Sequence, residues 1–153
     1  MRKCVLKSLM VVVFFLSACS GNEETIKFED KSFANTLFIQ KIENNSTSEA
    51  LTKTVADKDK IKEVLSMVEG IKVEKINSDN FLEKLKAQSS YMFGFLKGDG
   101  MNTEKGKYAF TILEDGTILF NYASFDNPGT PLITTEKHND LLNELKQTLE
   151  MNF

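Results

Sequence analysis

The sequence predicts an α+β domain, with an antiparallel or mixed sheet and two to three helices packed mostly on one face. Three stretches carry that expectation. Between Asp57 and Gly70, the residues Ile61, Val64, Leu65 and Val68 recur at i, i+3, i+4 and i+7, the spacing of one helix face. Tyr108, Phe110 and Ile112 alternate before Asp115-Gly116, and Ile118, Phe120 and Tyr122 alternate after it, which is hairpin patterning. Leu141, Leu142, Leu145 and Leu149 supply the apolar stripe of a closing helix. Strands, helix, strands, a hairpin and a terminal helix, in that order, fit one sheet covered by helices.

The chain opens with a different kind of segment. Arg2, Lys3 and Lys7 precede an uncharged apolar run from Leu9 to Leu16. That run is far shorter than the about 20 residues a spanning helix needs. A basic start, a short apolar run and small residues are the marks of a secretory signal. Leu16-Ser17-Ala18-Cys19 resembles the bacterial lipobox. The resemblance implies that Leu16, Ser17 and Ala18 are read by a signal peptidase that cuts before Cys19. It also implies that the Cys19 sulfur carries a diacylglyceryl group. Two acyl chains anchor firmly, because each buried methylene contributes about 0.8 kcal/mol and a single chain binds only reversibly. The expected organisation is therefore a signal peptide over residues 1–18, a lipidated cysteine and polar tether over 19–30, and one α+β domain over 31–153. The expected place is the extracytoplasmic face of the cell membrane, with the membrane itself as a partner through the lipid.

Removing the signal leaves about 135 residues, enough for one domain with its own core. With Arg2, Lys3 and Lys7 gone, 16 of the 19 cations remain against 22 acids, a net charge of −6. Arg2 is the only arginine, so the remainder lacks the planar fork that grips phosphate and guanine. Nucleic acid is excluded as a partner on charge and residue type together. Cys4 leaves with the signal and Cys19 is lipidated, so no thiol remains for a disulfide, a zinc cluster or a nucleophile.

Along the domain, Thr36 to Ile42 is enriched in β-branched and aromatic residues and ends in the turn cluster Glu43-Asn44-Asn45-Ser46, which predicts a strand. A weaker extended stretch runs from Ala50 to Val55. Asp57 is placed to cap the first helix and Gly70 to end it. Ile71 to Ile76 reads as a strand returning from that helix. Ser78-Asp79-Asn80 offers caps for a short helix to Ala87. Tyr91 to Leu96 reads as a central strand in which Gly94 permits a bulge or close approach. After a turn over residues 97–102, Lys107–Leu113 and Thr117–Ala123 flank the Asp115-Gly116 pair. Pro128 and Gly129 suit the central positions of a type II turn. The last helix is expected to begin near Thr134 or Thr135.

The lipobox, the helix from Asp57 to Gly70, the hairpin from Tyr108 to Tyr122 and the leucine-striped last helix together resemble the small YhfM-like lipoproteins of Bacillus-type bacteria. That resemblance implies a membrane-tethered α+β domain and supplies no catalytic residues.

No motif announces chemistry. His138 is the single histidine and reads as a solvated side chain in the first turn of the last helix. A zinc site would need carboxylates almost entirely. Asp99, Asn102 and Glu104 share a loop, but the stretch lacks the acids of a calcium-binding loop at positions 3 and 5. Glu114 and Asp115 fall in a hairpin turn, poorly placed for paired-carboxylate hydrolysis. No cofactor, metal ligand or catalytic residue is assigned. Phe93, Phe95, Phe110 and Phe120 are expected in the core, and Tyr91, Tyr108 and Tyr122 on an exposed sheet face. Phe125, with Tyr122 and Asp126, is the expected partner surface, since aromatic residues are enriched at interfaces. The functional expectation is a non-catalytic module that binds an envelope protein or a small ligand. A hydrolase-type enzyme without a familiar motif and an inhibitor or immunity-type lipoprotein stand as alternatives.

Overall fold

A computed structural model describes residues 24–98, 105–121 and 129–153. The lipobox residues Leu16 to Cys19, the loop acids Asp99, Asn102 and Glu104, and the expected partner residues Tyr122, Phe125 and Asp126 lie outside them.

Among the described residues, eight strands form one sheet in the order β1-β4-β8-β7-β6-β5-β2-β3, and every neighbouring pair is antiparallel. In chain order the strands are β1 (Glu24–Thr25), β2 (Thr36–Ile42), β3 (Thr52–Val55), β4 (Lys72–Lys75), β5 (Ser90–Lys97), β6 (Lys105–Leu113), β7 (Ile118–Phe120) and β8 (Leu132–Thr134). The helices are α1 (Lys58–Val68), α2 (Ser78–Ala87) and α3 (Asn139–Thr148). The fold is α+β, as the patterning predicts.

Strand alternation decides which helix covers which face. Ile118 and Phe120 of β7 point into the main core with Leu37, Ile39, Phe93, Phe95 and Phe110. α1 and α3 close that core with Ile61, Val64, Leu65 and Val68, and with Leu142, Leu145 and Leu149. Between Ile118 and Phe120, Leu119 points the other way. It joins Leu113, Ile133 and Phe81 of α2, with Ile76 and Leu85 packed beside them. Two helices thus share one face and the third takes the other. The four core phenylalanines are at most 2% exposed, as expected, and Phe93 stacks on Phe110 with centroids 4.9 Å apart.

The helix ends follow local chemistry. Asp57 caps α1 by accepting from the N–H groups of Asp59 (2.9 Å) and Lys60 (3.2 Å). Gly70 follows α1 at φ +85°, the left-handed residue that ends a helix with little strain. α2 is capped by Asn77, whose side chain accepts from Asn80 N–H at 2.8 Å, rather than by the expected Ser78 cluster.

Five expectations need correction. Residues 24–28 belong to the domain rather than to a polar tether: Glu24 and Thr25 pair with Val73 and Lys72, and Ile26 and Phe28 are buried at 3% and 6% exposure. The last helix begins at Asn139, because Leu132–Thr134 is strand β8, seated between β7 and β4. Ala50 to Val55 is not extended throughout: Glu49–Leu51 makes a 3₁₀ turn before β3. The Asp115-Gly116 turn is not the type expected, since only Gly116 has positive φ (+83°). Leu113 N–H bonds Thr117 O (2.8 Å) and Gly116 N–H bonds Leu113 O (2.9 Å), giving a three-residue loop closed by glycine in the left-handed region. Finally, Tyr91 and Tyr108 are each only 4% exposed. Tyr108 turns its hydroxyl to accept from Asp30 N–H at 3.1 Å, so the segment expected as tether satisfies it.

Asn44 and Asn45, both with positive φ (51° and 58°), form the tight turn after β2, with Glu43 and Ser46 exchanging backbone hydrogen bonds of 2.8 and 2.9 Å. Asparagine tolerates that region better than most residues.

Candidate functional site

At one end of the β4–β8 pair, backbone geometry gathers five polar side chains around a cleft of about 350 Å³ lined by Glu69, Gly70, Ile71, Lys72, Thr135, Glu136 and His138. Its first wall is the end of α1 and the start of β4. Gly70 reverses the chain there and donates its N–H to Ile26 O at 2.8 Å. Its second wall is the link from β8 to α3. Thr135 N–H reaches Lys72 O at 3.2 Å, which ties that link to β4. His138, half-buried, donates its backbone N–H to Gly116 O at 2.8 Å and begins α3. The glycine turn of the hairpin therefore fixes the histidine.

The cleft carries both signs of charge. Glu69 pairs with Lys31 and accepts from Phe28 N–H at 3.5 Å. The lysine hydrogen bond, aided by that backbone donor and opposed by desolvation, holds the Glu69 carboxyl below its ordinary range. Lys72 and Glu136 are exposed at the rim. Together these groups offer cationic and anionic contacts and an imidazole within one concave surface, which suits a small polar ligand. Among the described residues, no group of three or more His, Cys, Asp or Glu is arranged to hold a metal ion.

A second concavity, of about 320 Å³, lies at the other end of the same strands and is lined by Ser78, Phe81, Leu82, Asn121, Gly129 and Pro131. Leu82 is 48% exposed, the one large apolar side chain so exposed among the described residues. Asn121 and Gly129 are the described flanks of the segment holding Tyr122, Phe125 and Asp126.

Asp115, doubted above as a catalytic acid, has a structural task. Burial raises its pKa, but an ion pair with Lys137 (2.8 Å) and the N–H of Thr117 (3.1 Å) outweigh that and hold it at about 2. Sequence reasoning passed over the His138 cleft because it ran the last helix back to Thr134. The signal available was Pro131 ahead of Leu132-Ile133-Thr134, a strand-like triplet that a proline can precede. No family model matches the chain, and no curated protein or solved structure does so.

Proposed function

We propose that this chain is a lipid-anchored module on the extracytoplasmic face of the cell membrane, where it binds a small polar ligand without transforming it. The observation that carries the binding half is the His138 cleft, which sets Glu69, Glu136, Lys72 and the imidazole around one cavity. The lipobox at Leu16 to Cys19 supports the anchoring half.

The cleft is tested with the full-length protein purified from membranes in detergent, by thermal unfolding against a panel of amino acids, short peptides, sugars and inorganic ions. A ligand held at a hundredfold excess over its Kd stabilises the native state by about 2.7 kcal/mol, a shift of several degrees. The expected result is at least one such shift that His138→Ala and Glu136→Gln both abolish. A shift unchanged in both variants would place the binding elsewhere. Turnover of the ligand would replace this reading with an enzymatic one.

A further inference from the structure

We propose that the end of the sheet where the chain enters at Glu24 rests against the lipid bilayer, with the Leu82 groove meeting the headgroup–acyl boundary and the His138 cleft facing away. This rests on the reading of Cys19 as lipidated. Three observations carry it.

The first is length. β1 already pairs with β4 at Glu24, so only five residue steps separate the sheet from Cys19. Even fully extended, five steps span at most about 17 Å. A domain of about 130 residues cannot stand clear of the bilayer on so short a connection.

The second is direction. β1 runs antiparallel to β4, with Glu24 opposite Val73 and Thr25 opposite Lys72, so the N-terminal end of β1 lies at the Lys75 end of β4. Lys75 pairs with Leu132, its amino group lies 3.6 Å from the Glu24 carboxylate, and Ile76 N–H bonds Pro131 O at 2.9 Å. α2 starts two residues later at Ser78. The anchor point and the groove formed by Phe81, Leu82 and Pro131 therefore share one end of the molecule. Lys72 and Thr135, which line the cleft, mark the opposite end of β4 and β8.

The third is chemistry. The exposed leucine stands at that end, and the ion pair with Lys75 offsets the charge of Glu24 at the chain entry. One leucine and a shallow groove are too little apolar surface to hold a protein on a membrane unaided. Held within about 17 Å by a lipid, the groove meets the bilayer at high effective concentration, and weak contacts suffice.

The test uses the full chain in isolated membranes. Cys4 leaves with the signal and Cys19 is capped by lipid, so Leu82→Cys or Glu114→Cys introduces a single reactive thiol. Glu114 is exposed in the β6–β7 hairpin loop, at the end of the sheet where Gly116 O accepts from His138 N–H. Each thiol is labelled with a fluorophore and exposed either to a lipid-borne nitroxide or to aqueous iodide. The expected result is at least threefold stronger lipid-borne quenching at position 82 than at 114, with iodide showing the reverse order. Equal quenching at both positions, with the protein still in the membrane fraction, overturns the orientation and leaves the anchor standing. Shielding of position 82 from both quenchers means that a protein covers the groove, and that too overturns the lipid contact. Recovery of processed protein in the wash overturns the anchor and the orientation together.

Discussion

Gly116 shows how one residue can hold a site it does not line. Its φ of +83° lies in the region where a Cβ is strained, and a Cβ built there would also come within 2.7 Å of Asn139 N and 2.9 Å of His138 N. Gly116→Val is expected to destabilise the protein by at least about 2 kcal/mol, from backbone strain plus displacement of the α3 start. Denaturant unfolding measures this, and a loss under about 0.5 kcal/mol would show that the loop rearranges at little cost. Asp115, next to it, gives a pH signature. Its folded pKa of about 2 lies below the ordinary 3.8, so its contribution is complete above pH 4 and is lost as pH falls towards 2. The side chain is 34% exposed and Lys137 62%, so screening discounts the contribution to about 1 kcal/mol. Asp115→Asn should lower stability by that amount at pH 7 and reduce the difference between variant and parent at pH 2. A difference that stays constant with pH would remove the ion pair from the account.

Among the elements of the described residues, α2 stands apart because it alone covers the second face. Phe81, 8% exposed, is its main anchor against Leu113, Leu119 and Ile133. Phe81→Ala is expected to cost about 3 kcal/mol. Amide exchange should rise in α2 well before it rises in α1 or α3, since these belong to a separate apolar cluster. Uniform loss of protection across all three helices would mean that the two clusters unfold as one. α1 was legible in the sequence because its cap, its stripe and its glycine all point to the same helix. β8 was not, because three residues are too few to display a period of two. The N-terminal segment misled for a related reason. Ile26 and Phe28 do alternate, but Glu24, Lys27, Glu29 and Asp30 around them give the polar composition of a linker. Tyr108 is buried with its hydroxyl on Asp30 N–H, a partner that lies in this same stretch. The cleft was hidden because it is assembled from α1, β4 and the β8–α3 link, which touch only in the folded chain.

For the molecule as a whole, the domain boundary is the most direct quantity to measure. A chain starting at Lys31, as the linker composition suggests, omits β1 together with Ile26 and Phe28. Burying a large apolar side chain contributes about 1.5–3 kcal/mol, so this chain should be less stable by roughly 3–6 kcal/mol than one starting at Asn22. The two denaturation midpoints decide it, and equal midpoints would return residues 24–30 to the tether. Strand order has a further consequence, for the timing of synthesis. β4 sits between β1 and β8, so its larger partner is made some sixty residues after it. The hairpin of β2 and β3 can zip as soon as it emerges, but the β1–β4 side of the sheet has to wait. In a chain made from its N-terminus, Val73 finds Thr134 only when translation is nearly over, and α3 closes the core still later. Until then β2, β5, β6 and β7 can already pair with one another, whereas β1 and β4 wait for β8 to join them to the rest of the sheet.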